Sequence, residues 1–176
     1  MDALLKSTGP DLKAKAILTV MIGSGTRSAE TLNLRLSDLD FECGFIHVHN
    51  GKGSKDRLVP FDAVERMVVA KYIREHSPSE YLFESRPGKP LTKYYLNKVL
   101  ETALGSAGIK KRMSLHCLRH TFSSLLFASG VDAIRIQQYL GHKRLETTIR
   151  YLHTLGFGGG ATNDGPLAIL YSNAKK

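Results

Sequence analysis

The sequence predicts an α/β domain that is mainly helical, with a small antiparallel sheet in its N-terminal half. Successive segments carry apolar residues at a period near 3.6 and open on Asp, Ser or Thr, the residues that cap helices. Only between Gly44 and Pro60 does the period drop to two, around an Asn50-Gly51 turn. A chain of 176 residues supports one compact domain with a substantial core.

Residues 1 to 10 read as a frayed start punctuated by Gly9-Pro10. Asp11 is placed to cap a helix from Leu12 to Ile22, which Gly23-Ser24-Gly25 ends. That Gly-x-Gly follows a helix and lacks the strand of a nucleotide fold, so it is not read as a phosphate cradle. A second helix starts near Ser28 and carries Leu32, Leu34 and Leu36 toward a Ser37-Asp38 turn. Arg27 stands at its entrance, beside first-turn amides that a helix leaves unpaired, a setting that suits an anion.

Phe45, His47 and His49 alternate with Ile46 and Val48, and Arg57-Leu58-Val59 returns as a second strand. The loop between them holds Lys52 and Lys55. A charged, glycine-rich hairpin is ordinarily solvated surface. No cysteine or acidic ligand accompanies His47 and His49 at metal spacing, so they read as surface or cross-strand residues. Asp62 caps a helix to about His76 that Pro78 stops, and Leu82-Phe83 reads as a short third strand. Thr92 opens a helix to about Leu104 whose Lys93, Tyr94, Tyr95, Asn97 and Lys98 can press against a DNA backbone or groove, or equally pack a tyrosine while the lysines stay solvated. Lys110, Lys111 and Arg112 form a basic connection to the next segment.

Ser114 caps a helix with an apolar stripe of Leu115, Leu118, Phe122, Leu125, Leu126 and Ser129. On a neighbouring face His116, Arg119 and His120 stand at i, i+3 and i+4, so a histidine and an arginine address one ligand from consecutive turns. Gly130 closes it. Asp132 caps a further helix in which Ile134, Ile136, Tyr139 and Leu140 are apolar material to bury before Gly141 and His142. Thr147 or Thr148 starts a short segment holding Tyr151. After it, Gly156 to Gly160 disfavours regular helix, and 156–176 reads as a flexible Gly-rich tail with an apolar patch from Pro166 to Tyr171.

With 25 Lys plus Arg against 16 Asp plus Glu, the formal charge is +9. A surplus of that size is compatible with a polyanionic partner and alone does not require one. Cys43 and Cys117 make no disulfide framework; Cys117 lies beside the apolar stripe as an expected buried thiol, which suits a reducing compartment. No run approaches 18 apolar residues, and the N-terminus lacks a secretory design, so no membrane partner and a cytoplasmic location are expected.

An isolated helical histidine or arginine is more often a cap or part of a surface network than a catalytic group. The order as a whole changes that: His116-x-Leu118-Arg119-His120, then Leu140-Gly141-His142, then Tyr151. This resembles the C-terminal motifs of the tyrosine recombinases, the family of phage and transposon integrases and chromosome-dimer resolvases. Upstream, Gly25-Thr26-Arg27-Ser28-Ala29-Glu30 resembles the family's first arginine box, and Gly51-Lys52-Gly53-Ser54-Lys55-Asp56-Arg57 resembles its lysine hairpin. Thr26 departs from the large apolar residue usual before that arginine, so the packing that aims Arg27 is expected to differ in detail.

The resemblance covers most of residues 12 to 153 and implies a tyrosine recombinase catalytic domain over 1–155. It implies catalytic roles for Arg27, Lys52, His116, Arg119, His142 and Tyr151, and DNA contacts from Lys55, Arg57, Lys93, Lys98, Lys110, Lys111, Arg112, Lys143 and Arg144. The chemistry it implies is DNA strand cleavage and rejoining through a 3′-phosphotyrosyl bond, with double-stranded DNA as partner, no metal and no nucleotide cofactor. Self-assembly on DNA is expected, although the tail departs from the C-terminal helix that many members place against a neighbouring protomer. Members commonly add an N-terminal helical domain that clamps the duplex; this chain leaves no room for one, so weak, salt-sensitive DNA binding is expected. A type IB topoisomerase and a noncatalytic DNA-binding regulator of the same fold are the alternatives.

Overall fold

The computed structural model describes residues 2–49 and 56–142. In chain order the elements are α1 (Asp2–Lys6), α2 (Leu12–Gly23), α3 (Ser28–Asn33), a 3₁₀ turn (Leu36–Asp38), β1 (Leu39–Asp40), β2 (Phe45–Val48), β3 (Arg57–Pro60), α4 (Ala63–His76), β4 (Glu84–Arg86), β5 (Lys89–Pro90), α5 (Lys93–Ser106), α6 (Leu115–Ala128) and α7 (Ala133–Leu140).

Helix α2 is the axis. Ala16, Ile17, Leu18, Val20, Met21 and Ile22 are all 0% exposed, so the helix is apolar on every side and must be surrounded. Helices α1, α3, α4, α5 and α6 pack around it. Each large aliphatic buried this way contributes about 1.5–3 kcal/mol. Asp11 starts the helix by accepting the Ala14 N–H at 2.8 Å, and the Ser24 hydroxyl donates to the Val20 carbonyl at 2.6 Å as it ends.

The sheet β1-β2-β3 is antiparallel, with Ile46 opposite Val59 and Val48 opposite Arg57. Ile46, Val48 and Val59 face the core while His47 and Leu58 face out, as alternation demands. Strand β1 has only two residues, too short to show a period. The remaining caps sit where their side chains predict: Asp62 accepts from Glu65 N–H, Thr92 from Tyr95 N–H and Asp132 from Arg135 N–H.

Several expectations need correction. Residues 2–10 are not frayed: α1 buries Leu4 and Leu5, and the Ser7 hydroxyl ties it to the Ala103 carbonyl of α5 at 2.8 Å. Leu82 and Phe83 are fully buried but are not a strand. The Leu82 N–H reaches the Leu34 carbonyl at 2.7 Å, and the strand begins only at Glu84, whose carboxylate gathers the amides of Ser79, Glu80 and Tyr81. Ile134 is 58% exposed because Ile136 and Leu140, one turn apart, take the face against Phe122 and Leu126. Cys117 is only half-buried, with its sulfur 3.4 Å from the Ser114 N–H that donates to it. The expected segment at Thr147 and the tail lie outside the described residues. No helix among the described residues is long and apolar enough to cross a membrane.

Candidate active site

The site is built around a carboxylate. Glu30 occupies the first turn of α3, where its Oε2 accepts the Arg27 backbone N–H at 2.7 Å and its Oε1 accepts Arg27 Nη1 at 2.6 Å. Arg57, from β3, grips both oxygens of Glu30 at 2.9 and 2.8 Å. Arg119, from α6, brings Nη1 to 4.0 Å of Oε2. One carboxylate therefore orients three guanidinium groups arriving from three elements. Burial alone would raise the Glu30 carboxyl, but hydrogen bonds and charge from Arg57 and hydrogen bonds from Arg27 overcome it and hold it at about 2.

Arg27 keeps 41% of its side chain exposed, whereas Arg57 keeps 6% and Arg119 3%. Arg119 is placed by carbonyls: Nη1 donates to Gly25 at 2.7 Å, and Nη2 donates to Leu140 at the end of α7. Gly25 is required there, because its φ is +60° and an added Cβ would lie 2.3 Å from the Phe122 ring. The Thr26 departure also acquires a role. Its hydroxyl is 2.8 Å from that of Thr31 and accepts the Ser24 hydroxyl at 3.3 Å, while Thr31 donates to the Arg27 carbonyl at 3.1 Å. A buried hydroxyl chain takes the place of apolar packing behind Arg27.

These side chains open on a cleft of about 450 Å³ lined by Thr26, Arg27, Ser28, Lys93, Asn97, Ser114, Leu115, His116 and Arg119. Burial first, then the charges of Arg119 and Arg27, push the His116 imidazole below its ordinary value. Burial, His116 and Arg119 do the same to His120, whose ring meets that of His116 edge-on at 4.4 Å. His142 follows the left-handed Gly141 cap, and its backbone exchanges hydrogen bonds with Gln137. Burial and the charges of Arg119, Arg27, His116 and Arg57 lower its imidazole to about 4. Near neutral pH it is an uncharged hydrogen-bonding group amid cations.

Of the residues the sequence singled out, Arg27, His116, Arg119 and Lys93 line one cleft, and His142 lies within reach of their charges. Lys110, Lys111 and Arg112 line an adjoining hollow that shares Asn97 with it. Lys98 lies elsewhere, in a hollow beside Tyr94 and Tyr95. Lys52, Lys55, Lys143, Arg144 and Tyr151 lie outside the described residues. Arg57 is a correction. Expected on DNA, its guanidinium is buried against Glu30, and its Nε donates to the Tyr139 carbonyl at 2.6 Å. The Arg27 backbone N–H itself is taken by Glu30.

Sequence reasoning missed Glu30 as the organiser; the signal was a glutamate three residues after the arginine, which reads equally as an ordinary helix start. Asn97, read with Lys93 as suited to a DNA backbone or groove, lines the cleft beside it. Among the described residues no cluster of histidine, cysteine and acidic side chains fits a metal ion.

A helical domain that gathers arginines and histidines of four elements around one electropositive cleft is built to hold an anion. The chain belongs to the Phage integrase family, whose profile matches residues 1–156. It is 34% identical over 161 residues to the tyrosine recombinase XerC of Staphylococcus haemolyticus (strain JCSC1435), an alignment covering 86% of this chain and 52% of that protein. It is 32% identical over 155 residues to the tyrosine recombinase XerD of Listeria monocytogenes serotype 4b (strain F2365), covering 84% and 52%. The chain thus spans about half the length of these relatives. Its fold matches a crystal structure of XerA recombinase with a TM-score of 0.80 at 30% identity, over 99% of this chain and 62% of that one. It also matches XerH site-specific recombinase bound to difH substrate, with a TM-score of 0.75 at 28% identity, over 85% and 48%.

Proposed function

We propose that this chain is the catalytic domain, over residues 1–155, of a site-specific recombinase that cleaves and rejoins DNA strands. The observation that carries the reading is the cleft in which Arg27, His116 and Arg119 converge on a positive surplus ordered by Glu30. In this reading a scissile phosphate enters the cleft, and Arg27 and Arg119 bind its nonbridging oxygens as charge develops. His142 adds a neutral hydrogen-bond donor, and His116 assists proton transfer. The Tyr151 oxygen forms a bond to phosphorus as the bond to the 5′ oxygen breaks; the tyrosine proton leaves to a base, and Lys52 protonates the departing oxygen. The 3′-phosphotyrosyl bond conserves the phosphodiester energy, so another 5′-hydroxyl reverses the step without nucleotide, and the chemistry draws on no metal.

Lys55, Lys93, Lys98, Lys110, Lys111, Arg112, Lys143 and Arg144 are proposed to hold the duplex through backbone contacts. Arg57 is withdrawn from that set. Self-assembly on DNA belongs to the same reading, as does a cytoplasmic location; residues 156–176 are assigned to a tail outside the catalytic unit. The test is a nicked suicide substrate carrying the crossover site. Wild type is expected to accumulate a covalent protein–DNA species that survives denaturation, and Tyr151→Phe to form none while still binding DNA. An unchanged adduct in Tyr151→Phe would refute the nucleophile. No adduct from wild type on verified cognate DNA would favour a noncatalytic binder, and relaxation of supercoils without exchange between sites would favour a topoisomerase.

A further inference from the structure

His49 lies one residue beyond the last β2–β3 ladder pair, Val48 opposite Arg57, and the same register sets it opposite Asp56. Its Nδ1 is 3.0 Å from Asp56 Oδ2, and its Nε2 is 3.2 Å from Asp38 Oδ1. Asp38 is a firm anchor: its side chain is 8% exposed, and its other oxygen accepts the Arg35 N–H at 2.8 Å at the 3₁₀ turn. One imidazole therefore joins the two sides of the hairpin neck to each other and to the body of the fold. Residues 50–55, Lys52 among them, connect His49 to Asp56 in sequence.

A neutral imidazole has one N–H and one lone pair, so it can donate to only one of two flanking carboxylates; only the imidazolium donates to both. We propose that Asp38, His49 and Asp56 form a proton-operated clamp that positions the lysine hairpin, with His49 as a positioning residue for the Lys52 proton transfer. This rests on the proposed function only in its final clause. Among the described residues, the charged groups facing the ring are Asp56, from the head of β3, and Asp38, from the 3₁₀ turn. The Asp56 hydrogen bond, opposed by burial and helped by the charges of Asp38 and Asp56, raises the imidazole above its ordinary value. The linkage sign follows: the clamp is complete at low pH and is lost as pH rises through that raised midpoint. Beyond it a ring lone pair faces a carboxylate, and one side of the neck lets go.

The test has two arms. In DNA-free protein, the His49 ring is followed by NMR against pH. Its midpoint is expected above that of an ordinary histidine, with Asp38→Asn and Asp56→Asn each lowering it, and amide exchange at Val48 and Arg57 is expected to quicken as the ring deprotonates. An ordinary midpoint that neither variant moves overturns the clamp, whatever the protein does to DNA. In the second arm, His49→Gln is expected to slow single-turnover cleavage of an ordinary phosphodiester by roughly ten- to a hundredfold through misplacement, with DNA affinity unchanged. On a 5′-bridging phosphorothiolate, whose sulfur leaves without a proton, the loss is expected to shrink below about twofold. Equal losses on both substrates overturn the positioning role, and a wild type that cleaves neither overturns the function while the first arm still judges the clamp.

Discussion

Glu30 and Glu65 both stand in the first turn of a helix with little of their carboxylates exposed, and their surroundings shift them in opposite directions. Glu30, beside the cleft, turns back onto the Arg27 amide and meets two guanidinium groups at hydrogen-bond distance, so its carboxyl is held at about 2. Glu65, in α4, is 0% exposed, and among the described residues neither of its carboxylate oxygens has a hydrogen-bond partner of good geometry. The Asp62 side chain accepts the Glu65 amide, and the Asp62 backbone N–H exerts only a minor lowering influence on the Glu65 carboxyl. Burial first, then the Asp62 charge, push the Glu65 carboxyl well above its ordinary value. Burial alone decides nothing about a charge; partners do. One glutamate organises a site, and the other is a standing cost to the fold.

The largest expected effect breaks the first half of this contrast. Glu30→Gln leaves Arg57 and Arg119 buried without their carboxylate, which should cost roughly 3–5 kcal/mol in urea denaturation and abolish cleavage together with phosphate binding. A variant within 1 kcal/mol of wild type would mean that the guanidinium groups find other partners.

The pH dependence sharpens the same half. Glu30 ionises far more readily in the folded chain than in the unfolded one, so its contribution is present above about pH 4.5 and is lost as pH falls toward about 2. That is on the order of 3 kcal/mol. His142, lowered to about 4, acts in the same direction, because between about pH 6.5 and 4 the unfolded chain takes a proton that the folded one refuses. Thermal unfolding followed from pH 7 to 3 should show a steep acid limb that flattens in Glu30→Gln.

At Glu65 the sign reverses. A carboxyl that folding raises above its ordinary value costs more stability as pH rises above about 4.5. Glu65→Met should therefore raise stability at pH 7 by roughly 1–3 kcal/mol and shift the pH of maximum stability upward. A loss would show that the carboxyl is satisfied in solution. The smallest effect lies at the other end of the same helix, where Ser77 closes α4 with φ 44° ahead of Pro78. Ser77→Gly should relieve left-handed strain and gain up to about 1 kcal/mol, read as a small rise in melting temperature.

Much of the helical framework was legible because helix starts are local. Asp11, Asp62, Thr92 and Asp132 each announce a first turn a few residues away, and each makes the capping contact that the residue type predicts. The misses share a different cause. Arg57 reads as a basic hairpin residue, yet its partners are Glu30 and the Tyr139 carbonyl, far off in sequence. His49, read as a surface or cross-strand residue, is exposed and lies across from Asp56 as expected, but its second contact, to Asp38, was not legible. Leu82 and Phe83 have a strand's composition, but the chain beside them offers a single bridge, Arg35 with Tyr81, in place of a ladder. Within the cleft, the order of charged residue types was readable. What each charge is spent on was not, since that depends on which chains of atoms meet in space.

The arginine network also bears on how the domain is assembled. Arg119 reaches a carbonyl 94 residues away, and Arg57 reaches one 82 residues away. Closing loops of that length is among the slower, entropically opposed events of folding, so these contacts form only once the helices around α2 have docked. A nascent or partly unfolded chain thus holds its arginines apart, and in the proposed reaction nothing short of the native domain can break a DNA strand.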